Sequence, residues 1–482
     1  MKLKLSYLNI LLASFCSLSE ANLSFSASSS TSTSNTSSAS FSASIPLTDV
    51  TSEESALNKT DEHPIITPDT SIINDGKNPT DINWSNKTTT IPTDDKLSSK
   101  KVVGYYPSYS SDLTPLSELN YDLYDELIFF TATTNNNFTI GTGNLTQTHW
   151  DTLANEFVTR CKNATVTPTL ALGGWTGCRY FSDLVATAEN RTEFATSLVD
   201  FAKKYEFEGI DIDWEYPILQ GIGCNSVRDE DLDNFTLFLE KIREIWPGVH
   251  ITADSSINGF RDSSYASVSS ERIAGLVKVL DKVNIMAYDV YGGWSDTTGP
   301  SAPLSSKCAD VKSSVEDALG VYLKQGFSQS QLRLGIPTYA RSFGLGTPEL
   351  IPKTVGNYTT YYYQNFTSIP AGGIADDKPG VDICGQTVGN GGLWMFKELI
   401  ENGFLSEDEK EGMNGYVLYQ DECSGVPFLA NNMTLISYDD TQSSVRKAKW
   451  ARESGLSGII FFNAIGSLDR TIGASREEFL KN

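Results

Sequence analysis

The sequence predicts an α/β chain folded as a (β/α)8 TIM barrel, with a small α+β insertion domain between strands 7 and 8 and a disordered Ser/Thr-rich segment in front. Three observations predict it. Composition changes abruptly at Lys101. Beyond it, eight short β-branched and aromatic runs alternate with helical patterns, as a parallel sheet with crossover helices requires. The last two runs are separated by 120 residues, far more than a barrel loop needs.

At the N-terminus, Lys2 and Lys4 precede an apolar run over 8–18. Ser19, Glu20 and Ala21 follow, with small residues where a signal peptidase reads, so residues 1–21 are expected to be a signal peptide. The run is too short to span a bilayer, and residues 477–482 lack the apolar tail of a lipid-anchor signal. Residues 22–100 form the Ser/Thr-rich linker, with 15 of the 21 residues from Ser24 to Ser44 being Ser or Thr. Such a stretch buries too little apolar surface to offset its ordering entropy. It is expected to be disordered, as a glycosylated stalk or a plain spacer.

The eight runs are 102–106, 127–131, 167–172, 209–214, 250–254, 283–288, 332–337 and 458–462. Leu232, Phe235, Leu237, Leu239, Ile242 and Ile245 form a helical stripe over 232–246, and 311–323 and 444–452 also have helical patterns. Residues 101–343 and 438–482 are therefore assigned to the barrel and 344–437 to the insertion, which holds a strand-like 358–363 and a helical 394–402. A doubly wound open sheet is the main alternative. It favours a glycine-rich turn after the first strand, and Pro107-Ser108-Tyr109 is not one. No internal repeat is evident.

The 482 residues hold 37 Lys+Arg, 60 Asp+Glu and 3 His, for a net charge of −23. An acidic chain repels phosphate backbones and anionic lipid, so nucleic acid and membrane surfaces are excluded as partners. Three histidines, one of them His63 in the linker, leave little for a His-rich metal site. Of seven cysteines, Cys16 leaves with the signal. An even six remain: Cys161, Cys178, Cys224, Cys308, Cys384 and Cys423. That suits disulfides in an oxidising compartment. Cys384–Cys423 is expected as a bridge inside the insertion, and Cys224 and Cys308, both after strands on one barrel face, are expected to pair. Cys161 and Cys178 are left unassigned. Sequons at Asn58, Asn137, Asn163, Asn190, Asn234, Asn357 and Asn432 fit a glycosylated exported protein, although some occur by chance.

The chemistry is concentrated in 207–217. On a strand, Asp211, Asp213 and Glu215 point to one face and Ile210, Ile212 and Trp214 to the other. In a barrel the apolar residues face the outer helices, and the carboxyls rise through the interior toward the C-terminal mouth. Three carboxyls at roughly 7 Å spacing cannot all ionise cheaply there. Glu215, nearest the mouth and longest, is the natural general acid. Asp213 is placed to hold a proton and orient it, and Asp211 to bias the sharing from below. A Mg²⁺ or Ca²⁺ site is one alternative, although in-line carboxyls make a column rather than a cage. A solvated strand face is another, opposed by the intervening Ile and Trp. No Gly-x-Ser-x-Gly elbow, phosphate loop or His-Glu-x-x-His is present, and Gly389-Asn390-Gly391-Gly392 is read as a turn.

Over about residues 101–475 the sequence resembles glycoside hydrolase family 18, the chitinases, especially the secreted fungal type. Glu208-Gly-Ile-Asp211-Ile-Asp213-Trp-Glu215 matches the family's Asp-Gly-x-Asp-x-Asp-x-Glu, and Ala171-Leu-Gly173-Gly174-Trp175 its Ser-x-Gly-Gly-Trp. Met286-Ala-Tyr288-Asp289 matches Met-x-Tyr-Asp, and residues 334–343 resemble the seventh strand. The resemblance implies a retaining, substrate-assisted chitinase without metal or cofactor. Glu215 protonates the leaving oxygen, and the substrate's own acetamido oxygen attacks the anomeric carbon. Catalytic Asp211, Asp213 and Tyr288 assist. Asp289, Tyr339 and Arg341 hold sugar hydroxyls, and Tyr105, Phe130, Gly173, Gly174, Trp175, Tyr216, Met286 and Phe462 line the cleft. Chitin or chitooligosaccharides are the expected partner and a monomer the expected state, outside the cell, with fungal cell-wall remodelling as the expected role. A non-catalytic chitin-binding lectin and an endo-β-N-acetylglucosaminidase acting on N-glycans are the alternatives. Three departures stand out: Glu208 for Asp, Ala171 for Ser and Phe462 for Trp. If Glu208 and Ala171 face one another, the longer carboxyl fills the space of the missing hydroxyl. Phe462 keeps an apolar floor but loses area and the indole N–H.

Overall fold

The computed structural model describes residues 100–310 and 312–481. The expected signal peptide, the linker up to residue 99, Cys16, Asn58 and His63 lie outside the described residues, as does Val311.

Eight parallel strands form the barrel: β1 (Lys101–Pro107), β2 (Glu126–Thr134), β3 (Thr167–Gly173), β4 (Gly209–Asp213), β5 (His250–Ser256), β6 (Lys282–Met286), β7 (Leu332–Pro337) and β8 (Gly458–Phe462). Their order is β1-β8-β7-β6-β5-β4-β3-β2, and β1 pairs with β2 to close the ring. Closure rules out the open doubly wound sheet. Helices α1 (Gln147–Asn163), α2 (Ala188–Lys204), α3 (Asp231–Ile245), α4 (Ala274–Val279), α5 (Val315–Lys324), α6 (Thr441–Glu453) and α7 (Asp469–Leu480) follow their strands. Thr146, Thr187, Ser314 and Asp440 cap four of them, each side chain accepting a backbone N–H from the first turn.

Strand alternation sorts the core into two layers. Ile210, Ile212 and Trp214 pack outward with Leu232, Phe235, Phe238, Leu239 and Ile242 of α3. Val103, Tyr105, Ile128, Phe130, Ala171, Ile460 and Phe462 fill the interior. Each fully buried aliphatic or aromatic side chain contributes about 1.5–3 kcal/mol relative to exposure. The α3 stripe is corrected at one position: Leu237 is 44% exposed and Phe238 is fully buried. Phe238 lies within an i, i+3, i+4 set with Phe235, Leu239 and Ile242, whereas Leu237 sits on the opposite flank.

The segment between β7 and β8 begins one residue after β7. Strand Tyr339–Leu345 lies between Phe366–Ser368 and Thr434–Ser437 in an antiparallel sheet that continues through Pro427–Ala430 to Val417–Gln420, while Leu393–Met395 also pairs with Tyr339–Leu345. One face of this sheet packs Ala340, Leu429 and Ile436 on Phe396 and Leu399 of helix Phe396–Glu401. The other packs Phe343, Leu345, Phe428 and Leu435 on Tyr362.

The disulfides differ from the expected pairs. Cys224 bonds Cys384 and Cys308 bonds Cys423, each with Cα atoms about 5.5 Å apart. Both therefore join a barrel loop to the insertion, because the insertion folds back against the loops after β4 and β6. Closing loops of 160 and 115 residues gives about 5 kcal/mol each in a chain-entropy estimate. Cys161 and Cys178 are buried free thiols. One sequon is internal: Asn234 is buried, and its Oδ1 accepts from Arg191 Nη1 at 2.9 Å. Among the described residues no helix is long and apolar enough to cross a membrane.

Candidate active site

A cavity of about 610 Å³ opens at the C-terminal mouth of the barrel. Asp213 and Glu215 rise into it from β4 and its continuation, Tyr288 and Met286 from the end of β6, Phe130 from the middle of β2 and Phe462 from the end of β8. Gly173, the last residue of β3, and Gly174 and Trp175 just beyond it form another wall. Gly173 has φ +120°, and a Cβ there would stand 2.1 Å from the Asp213 carbonyl oxygen. Glycine is therefore required where β3 meets β4.

Phe462 is the hub of the aromatic floor, with ring centroids 5.3 Å from Tyr105 and Phe130, 5.9 Å from Tyr288 and 6.4 Å from Tyr339. Tyr105 lies beneath the cavity and works by its hydroxyl. It donates to Asp254 through a short hydrogen bond and to Asp211 Oδ2 at 3.2 Å. Asp211, fully buried, also accepts from the Thr252 hydroxyl and from Asn284 Nδ2 at 3.0 Å. Asn284 Nδ2 lies 3.0 Å from Asp254 as well.

Burial dominates the electrostatics. It pushes the Asp211 carboxyl up to about 6 against the opposing bond from Thr252. Asp213 is driven well above the carboxylate range by burial and then by the charges of Glu215 and Asp211, and its Oδ1 is buried without a hydrogen-bond partner. Glu215 is pushed up to about 8 by burial; a hydrogen bond from Tyr216 opposes this, and Asp254 and Asp289 add to it. At neutral pH Glu215 therefore carries a proton into an aromatic-walled cavity, which is the state a general acid needs.

Other residues expected at the site support it from outside this cavity. Tyr216 bonds Glu215. Tyr339 OH donates to Asp289 Oδ2 at 2.8 Å, and Arg341 donates to Asp289 Oδ1 from Nε at 2.9 Å and Nη2 at 2.6 Å. The Glu208–Ala171 pairing is absent. Ala171 lies opposite Asp211 in register and is fully buried. Glu208 is exposed at the other end of the strand, its N–H donating to Pro168 O. Tyr105, Thr252 and Asn284 hydrogen-bond Asp211 instead.

This constellation decides the family, because residues 101–466 match Glycosyl hydrolases family 18. The chain belongs to glycosyl hydrolase family 18. It is 34% identical over 372 residues to a chitinase-like effector of Moniliophthora roreri, covering 75% of this chain and 88% of that protein. It is 32% identical over 316 residues to chitinase A1 of Niallia circulans, covering 63% of this chain and 41% of that one. Among solved structures, a chitinase of Rhizomucor miehei shares the fold with a TM-score of 0.68 at 24% identity, over 79% of this chain and all of that one.

Several parts of this family 18 site escaped the sequence reading, including residues 108–110, 112 and 113 after β1 and 142–145 after β2. Asp254 lines the cavity from β5. Its signal was a carboxylate two residues beyond Thr252 in a strand, so that both face inward. Residues 374–378 of the insertion also line the cavity. They are anchored by Asp376, whose Oδ1 accepts from Leu393 N at 2.8 Å and whose Oδ2 accepts from Gly372 N at 2.7 Å.

Proposed function

We propose that the protein is a secreted chitinase that hydrolyses β-1,4 bonds between N-acetylglucosamine units with retention of configuration. The observation that carries the reading is Glu215: a carboxyl at the cavity wall, above two buried aspartates, pushed up to about 8 by its burial. Glu215 donates its proton to the bridging oxygen while the substrate's acetamido oxygen closes on the anomeric carbon. It then takes a proton from the incoming water. Asp211, Asp213 and Glu215 stand in one column on one side of the cavity, and a substrate nucleophile removes the need for a second carboxylate across the sugar. Asp213, which lines the cavity beside Glu215, turns toward Glu215 and the acetamido N–H, Tyr288 holds the acetamido group, and Asp211 fixes the charge below. Tyr339 and Arg341 hold Asp289 toward the sugar hydroxyls. The aromatic floor suits the apolar faces of sugar rings. The two disulfides favour an extracellular site of action.

The test is release of chromophore from a chromogenic chitooligosaccharide by wild type and Glu215→Gln, with the product anomer read by NMR. Loss of the acid should cost about 10²–10⁴-fold in rate. Equal rates, or an inverted product, would refute the assignment. A chitin-binding protein without turnover is the second reading, favoured by the name of the Moniliophthora relative, a chitinase-like effector. Binding without turnover in wild type would select it.

A further inference from the structure

Glu215 lies two residues beyond β4, where the strand ladder has ended, so its peptide groups must find other partners. Its N–H donates to Cys178 Sγ at 3.2 Å, and the Cys178 thiol donates onward to Asp213 O at 3.0 Å. Its carbonyl accepts from Asn225 Nδ2 at 2.9 Å. Cys178 is fully buried and Asn225 is 5% exposed, and neither lines the cavity.

We propose that Cys178 and Asn225 are positioning residues that clamp the Glu215 peptide from its two sides and so aim its carboxyl into the cavity. The clamp has independent anchors. Gly221, at φ +57°, brings the loop so close that a Cβ would stand 2.1 Å from Glu215 O. Asp231 Oδ2 holds both ends of that loop, accepting from Ile218 N at 3.3 Å and Arg228 N at 2.9 Å. Cys224, next to Asn225, is bonded to Cys384 of the insertion. Burial keeps the Cys178 thiol protonated and therefore able to donate. The carboxyl of Glu215 must meet a bridging oxygen within hydrogen-bond reach, and misplacement by about 1 Å costs roughly 10²-fold.

The proposal rests on the reading of Glu215 as the acid, and the experiment separates the two. Asn225→Ala, Cys178→Ala and Cys178→Ser are made in the full chain and assayed on a chromogenic chitooligosaccharide. In parallel, hydrogen exchange is followed by mass spectrometry in peptides spanning 214–221. Both alanine variants should lose about 10–100-fold in kcat with KM changed less than about threefold, and exchange should accelerate in that peptide alone. Cys178→Ser, which keeps a donor and an acceptor, should restore most of both. Folded alanine variants with wild-type kcat and exchange would overturn the clamp, as would exchange accelerated uniformly through β4 and α3. If Asn225→Ala does not fold, Asn225→Leu, which removes the donor at similar size, takes its place. A wild type without turnover would defeat the chitinase reading, while exchange at 214–221 would still decide the clamp.

Discussion

Glu126 and Glu215 are buried at opposite ends of one barrel, at 0% and 3% exposure, and burial alone would push both carboxyls up. At the lower end, Arg333 Nη2 donates to Glu126 Oε2 at 2.8 Å, Lys101 stands 3.6 Å away, and the Thr169 hydroxyl donates to Oε1 at 2.9 Å. Burial there is outweighed by Arg333, His250 and Lys101, and the carboxyl is held below its usual range. At the upper end the partners are hydroxyls, an amide and other carboxyls, and Glu215 rises to about 8. The lower end uses its charges to hold strands together. The upper end keeps protons that an apolar core would not need, and such perturbed ionisation clusters at functional sites.

The most severe way to break this contrast is Arg333→Ala. It removes the fully buried partner of Glu126 and leaves Lys101 at 3.6 Å and the Thr169 hydroxyl beside it, and the fold should lose about 3 kcal/mol by chemical denaturation near pH 7. The loss should shrink in acid. Glu126 has a depressed folded value, so its contribution is present above the ordinary carboxyl value of about 4.3 and lost as pH falls through the folded one. A loss of stability independent of pH would show that Arg333 acts by packing alone.

Glu215 should show the opposite sign. Its folded value of about 8 lies above its unfolded value, so the native state binds the extra proton, and stability declines as pH rises between about 4.3 and about 8. Glu215→Gln should therefore gain stability relative to wild type as pH rises, with the gap widening across that window and flat above it. The same proton sets the rate: kcat/KM should be retained below about pH 8 and fall above it as the acid ionises. A gap that narrows with rising pH, or a rate that climbs past pH 8, would remove the contrast between the two ends.

The barrel and the Asp211–Asp213–Glu215 column were legible because both depend on local periodicity. Eight apolar runs named eight strands, and alternation alone sent Ile210, Ile212 and Trp214 outward. What depended on register or on distant chain was not legible. Glu208 and Ala171 sit on adjacent strands, yet pairing of Ala171 with Asp211 separates them. Cys384 lies 39 positions before Cys423 but bonds Cys224, 160 positions away, because the folded-back insertion sets proximity. The cavity wall at 374–378 follows from the same fold-back. Asp254 was readable in principle, since it lies two residues beyond Thr252 on the same face of a short run.

Phe462 sharpens the contrast at its finest scale, since at the upper end one side chain both packs the barrel and floors the cavity. It touches Tyr105, Phe130 and Tyr288 and is 6% exposed. Enlarging it to Trp adds ring area and an N–H that face the cavity. Better aromatic contact is worth about 0.5–1.5 kcal/mol, so Phe462→Trp should lower KM for a chitooligosaccharide by roughly 2–10-fold. Because the added atoms have the cavity to enter, stability should change by ~1 kcal/mol or less. A variant with unchanged KM and a larger stability loss would place the ring in the core rather than in the floor. The Arg333 variant, by comparison, should change stability without changing KM, since its partners lie at the other end of the barrel.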